Sequence, residues 1–79
     1  MTDLKGTLAN IARAIVDSPE DVVVTVTEES ETTISLKLSV AAGDRGQVIG
    51  KHGKIAKAIR QLMKAAANGT GKKVTIDIE

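Results

Sequence analysis

Apolar residues recur along this chain with two different periods, and the switches between them mark the elements. Over residues 3–17, Leu4, Leu8, Ile11, Ala12, Ile15 and Val16 return at helical spacing as one stripe. Asp3 places negative charge at the start of that helix, where the dipole favours it. Ser18-Pro19 is expected to stop it, because the residue before a proline avoids helical angles. Over residues 22–28 the period falls to two. Val22, Val24 and Val26 point one way; Val23, Thr25 and Thr27 point the other. Glu28-Glu29-Ser30-Glu31 reads as a polar turn. Residues 32–40 then alternate again, with Ile34, Leu36, Leu38 and Val40 against Thr33, Ser35, Lys37 and Ser39. The pattern predicts a hairpin with one apolar and one polar face.

The helical period returns after Ala41-Ala42-Gly43. Asp44 is the expected N-cap of a short helix from Arg45 to Ile49. A second helix is expected over 54–67, with Ile55, Ala58, Ile59, Leu62, Met63 and Ala66 as its apolar stripe and Lys57, Arg60 and Lys64 opposite. Asn68-Gly69 ends it in a C-cap pattern. Val74, Ile76 and Ile78 alternate with Thr75 and Asp77 as a last strand. The two strands flanking the helical pair can lie parallel through a right-handed crossover. The fold class is therefore α+β: a three-stranded mixed sheet covered on one face by three helices.

Composition narrows the picture. Seventy-nine residues make one small domain, expected to bury about 60–65% of its unfolded surface. Cysteine is absent, which removes disulfides and thiolate metal sites, and one histidine is too few for a histidine-based metal centre. No metal or cofactor is implied, and no catalytic constellation stands out. The sequence shows neither a signal peptide nor an apolar run long enough to span a membrane, so a soluble, cytoplasmic protein is expected. Aromatic residues are missing, which argues against modules that stack bases on aromatic side chains.

The net charge of +1 conceals an asymmetry. Residues 1–43 carry three basic against seven acidic residues, and residues 44–79 carry eight against three. The basic half suits a polyanion, although lysines also serve simply to solvate a helix face. That half contains Val48-Ile49-Gly50-Lys51-His52-Gly53-Lys54-Ile55. A Gly-X-X-Gly turn that ends at a helix start offers free N–H groups, the positive end of a helix dipole and room for another backbone to approach. By itself such spacing is common in a chain with 7 glycines.

With its flanks, however, the run from Gly46 to Ile59 resembles the signature of the KH domain. The element order α-β-β-α-α-β is similar to the type II, bacterial-style KH topology, and the likeness covers nearly the whole chain, 1–79. Size and lack of extensions are similar to those of the small single-KH-domain RNA-binding proteins of bacteria, the KhpA type. The resemblance implies binding of about four single-stranded RNA nucleotides, with the Gly-X-X-Gly loop clamping the backbone. Carried over, Gly50 and Gly53 let the strand approach, while Lys51 and His52 face phosphates, with Lys54 and Lys57 next on the helix. Gly46, Val48, Ile49 and Ile55 correspond to the groove or its floor, although Val48, Ile49 and Ile55 suit the core first and groove lining second. His52 either donates a hydrogen bond or merely occupies the turn. The short loop before the last strand would bring Lys72 and Lys73 near the strand. The resemblance also implies pairing, as a homodimer or with a larger Jag-type KH protein, and a role as post-transcriptional regulator or RNA chaperone linked to cell-envelope synthesis and cell shape.

Other classes fit less well. Gly46 to His52 echoes a P-loop, but the spacing is one residue short and His52 stands where Ser or Thr would hold Mg²⁺. A helix-turn-helix DNA reader would need a longer first helix. A KH-fold module that mainly dimerises or recruits, with little RNA binding of its own, remains the alternative.

Overall fold

The computed structural model describes residues 3–79. Met1 and Thr2, where the expected domain begins, lie outside the described residues. The elements are α1 (Leu4–Ile15), β1 (Val23–Glu29), β2 (Thr33–Ser39), α2 (Arg45–Ile49), α3 (Lys54–Ala67) and β3 (Lys73–Ile78). The strands lie in the order β1-β2-β3, with β1 antiparallel and β3 parallel to the central β2. The helical pair α2–α3 forms the crossover between the two parallel strands. This is the α+β arrangement that the alternation and the helical stripes predict.

The core lies between one sheet face and the helices. Leu8 of α1, Leu36 and Leu38 of β2, Val48 of α2, and Ile59 and Met63 of α3 are its fully buried side chains. The opposite sheet face is polar, and there Thr75 Oγ1 donates to Ser35 Oγ at 2.8 Å. No helix among the described residues is long and apolar enough to cross a membrane.

Three local readings change. First, α1 ends at Ile15, before Ser18-Pro19. Val16 is already extended (φ −88°, ψ 159°). Beyond it, the Asp17 and Ser18 N–H groups donate to the Asp44 carboxylate at 3.3 and 3.0 Å. Asp44 is consequently no side-chain cap for α2. It is 4% exposed, and it ties the end of α1 to the start of the helical pair. Second, the hairpin turn is shorter than its acidic run suggests. β1 continues through Glu28 and Glu29, and the Ser30 hydroxyl accepts from the Thr32 and Thr33 N–H groups to close the turn. Third, β1 carries a bulge. Val26 faces Leu36, but Glu28 faces Ser35 and Glu29 faces Ile34. One extra residue reverses the alternation, so Glu29 shares the helix-side face with Ile34, and Val26 is left 36% exposed at the rim.

Candidate nucleic-acid interface

The glycine turn joins α2 to α3 through backbone angles that few residues tolerate. Gly50 has φ 77° and ψ 170°, a region that is essentially glycine-only. A β-carbon there would also overlap the Ile55 side chain and lie 2.9 Å from the Ile55 nitrogen. Gly50 is thus required twice, once for conformation and once for space. His52 (φ 59°, ψ 25°) and Gly53 (φ 73°, ψ 15°) are both left-handed. The Lys54 N–H donates to the Lys51 carbonyl across them, which is type I′ geometry. Gly53 has open space around it, so only its φ demands glycine. His52 holds the left-handed position at a cost of about 1–2 kcal/mol.

No side chain caps the start of α3. Its first-turn N–H groups therefore face outward without a side-chain partner, at the positive end of a fourteen-residue helix. Lys51, His52 and Lys54 are exposed around this end, and Lys57 follows one turn along. The geometry provides oriented donors, positive charge and, at Gly50 and Gly53, room for close approach, which together suit an anionic backbone.

The other residues singled out in the sequence divide. Ile49 lies beside the turn and is 38% exposed. Ile55 covers Gly50 and is 39% exposed, so it is not a core residue. The buried stripe of α3 is Ala56, Ile59, Met63 and Ala67, rotated from the arc that the larger apolar residues suggest. Leu62 remains 56% exposed and Ala58 is exposed as well. Gly46 sits on the outer side of α2 with nothing near its missing side chain. It leaves the surface open, and packing does not demand it.

Lys72 and Lys73 do not join the turn. They lie past the opposite end of α3, about 20 Å away at 1.5 Å per residue. Lys72 is also occupied: its Nζ sits 2.7 Å from Glu29 Oε2, a meeting that the β1 bulge makes possible. Between the two ends, Lys57, Arg60 and Lys64 form an exposed row along α3. Arg60 is more than a solvated charge, because its Nε donates to the Ile76 carbonyl of β3 at 3.4 Å. Nothing local signals this contact, since it crosses between elements. Asp44, an anchor of the helical pair, is equally hard to find in the sequence. An acidic residue before a short helix reads as a cap, and nothing local reveals a partner 26 residues earlier. Among the described residues, no group of acidic residues and His52 gathers as a metal site.

Known proteins resemble this chain over most of its length. Residues 5–78 match the family model for KhpA/KhpB, KH domain. RNA-binding protein KhpA of Listeria monocytogenes is 48% identical over 71 residues, covering 90% of this chain and 92% of that protein. RNA-binding protein KhpA of Bacillus subtilis is 44% identical over 80 residues, covering 99% and 98%. RNA-binding protein KhpA of Treponema pallidum is 45% identical over 71 residues, covering 90% and 88%. With a family model matched over nearly its whole length and relatives at 44–48% identity, the chain belongs to the KhpA/KhpB family of KH domains.

Proposed function

We propose that this protein binds single-stranded RNA, and that the Gly50-Lys51-His52-Gly53 turn holds the strand by its phosphate backbone. One observation carries the reading: a turn bounded by Gly50 and Gly53 opens onto the uncapped start of α3 with Lys51 and Lys54 exposed beside it. Backbone N–H groups at such an end bind phosphate without needing an aromatic platform, and this chain has none. The names of its relatives, which are RNA-binding proteins, agree. Lys57 extends the contact along α3, while Ile49 and Ile55 offer aliphatic surface beside the turn. A protein of this kind acts in post-transcriptional control, as a regulator or RNA chaperone.

The test replaces Lys51 and His52 together with Asp. Both side chains are exposed, so the fold should persist by circular dichroism. Affinity for a short single-stranded RNA should fall at least tenfold, and unchanged affinity in the folded variant refutes the reading.

A second reading is that pairing is part of the working state, with another copy or with a larger Jag-type KH protein. It is favoured by Ile49, Ile55 and Leu62, three exposed apolar side chains on the helical pair, and by a small core that lacks aromatic residues and disulfides. Two copies on one strand gain by effective concentration. Sedimentation at micromolar concentration, with and without RNA, should show a dimer, and a Leu62→Glu variant should shift it toward monomer. A monomer throughout removes self-pairing.

A further inference from the structure

The two edges of the sheet are finished differently. The Lys73 N–H donates to the Thr32 carbonyl and the Glu79 N–H to the Leu38 carbonyl. Alternate residues of β2, Leu36 and Leu38 among them, therefore turn their backbone groups toward β3. Across the antiparallel pair, Leu38 faces Val24 and Leu36 faces Val26. Those are then the non-hydrogen-bonded pairs, and the N–H and carbonyl groups of Val24 and Val26 point out of the sheet. No backbone bond from another described segment reaches them. On the far edge, by contrast, Arg60 occupies the Ile76 carbonyl of β3.

Edge strands are commonly blunted by a proline, a lysine or a bulge. From Val23 to Val26, β1 carries none of these, and its bulge comes only after Val26. Val23 is 55% exposed on the polar face. Val26, at the rim of the other face, lines an open hollow of about 710 Å³ with Leu4 and Ile34. The strand is also flanked by acid. From Ala14 to Leu36 the chain has six acidic residues and no basic one. Glu20 and Asp21 before β1, and Glu28 and Glu31 at its end, are exposed and have no ion-pair partner among the described residues. A second copy paired across a two-fold axis would set the acidic end of one β1 beside the acidic start of the other, and like charges on paired strands repel. A nucleic-acid strand is repelled for the same reason. A basic polypeptide is attracted.

We propose that the β1 edge receives an extended, basic segment of another protein as a fourth strand of the sheet. The N–H and carbonyl groups of Val24 and Val26 bond its main chain. Its lysines or arginines meet Glu20 and Asp21 at one end and Glu28 and Glu31 at the other, and its apolar side chains cover Val23 and Val26. In strand addition, main-chain bonds give affinity and alternate side chains give specificity. The site shares no residue with the glycine turn or with Ile49, Ile55 and Leu62, so it stands or falls apart from RNA binding and from pairing through the helices.

The probe is a synthetic peptide with a Val-Thr-Val-Thr centre and two lysines at each end, added to the whole chain and followed by amide NMR. It should bind with a Kd of about 100 μM or tighter. The Val24 and Val26 amides should shift and exchange with solvent at least tenfold more slowly, while the Gly50 and Gly53 amides stay still. The same peptide with glutamate for lysine should bind at least tenfold more weakly. So should the basic peptide N-methylated throughout its centre, which has lost its main-chain donors. A Glu28→Lys/Glu31→Lys variant, changed only at exposed positions, should lose at least tenfold in affinity. Val26→Pro removes one outward N–H at an edge where proline is tolerated, and it should lose as much with the fold retained by circular dichroism. If the acidic or the methylated peptide binds equally well, or if Val24 and Val26 exchange at their free rate, no strand is added and the proposal falls. It falls too if those amides are already protected in a dimer of the chain alone, or if single-stranded RNA protects them. If no peptide binds, the acidic flanks serve only to guard the edge, and there is no docking site.

Discussion

α1 and α3 have similar lengths and the same kind of apolar stripe, yet they finish differently. α1 is closed. Asp3 Oδ1 accepts from the Gly6 N–H at 3.0 Å and caps its start, and Leu4, Leu8, Ala9 and Ala12 are buried. α3 is open. Its start lacks a side-chain cap, and Ile55, Leu62 and a row of basic side chains face outward. One helix completes its local bonding for stability. The other leaves donors, charge and apolar surface unused by the fold, and those are the groups available to a partner.

The contrast is sharpest between two leucines. Leu8 is fully buried and Leu62 largely exposed. Leu8→Ala should cost about 2–5 kcal/mol through lost burial and the cavity left behind. Leu62→Ala should cost well under about 1 kcal/mol. Urea unfolding measures both, and similar losses would show that Leu62 is held in the core.

Within the open region, the two glycines should separate next. Gly50→Ala forces a β-carbon into Ile55 as well as a forbidden φ, so a loss of about 2–4 kcal/mol is expected. Gly53→Ala meets only the left-handed penalty, about 1–2 kcal/mol. Thermal melts should show that order, with each kcal/mol worth about 4–8 °C in a domain of this size.

Opening the closed helix should cost less. Asp3→Ala removes the cap of α1, which is worth about 1 kcal/mol, and RNA affinity should not change. Reduced affinity in that variant would mean the two helices are not independent.

The smallest effect concerns His52. Asn tolerates left-handed angles better than most residues, so His52→Asn should raise stability by about 0.5 kcal/mol. If His52 also touches the strand, RNA affinity should fall as stability rises; if affinity holds, the residue merely occupies the turn.

Much of the molecule was legible from local pattern. The switch from period two to the helical period gave the element order, the pairing of β2 with β3 across the helical pair, and the bounds of α2 and α3. The glycine spacing gave the turn, because left-handed angles select glycine whatever surrounds them. Tertiary structure decided the rest. Ile55 and Leu62 belong to a helical stripe wider than the arc the sheet and α1 can cover, and only packing chooses which edge stays exposed. Asp44 reads as a cap from its neighbours, but it binds backbone 26 and 27 residues away. Lys72 reads as a free cation until a bulge 45 residues earlier turns Glu29 toward it. A hydrogen bond or an ion pair leaves no periodic trace in the chain. It forms where two distant segments happen to meet, and that meeting is set by how the layers pack.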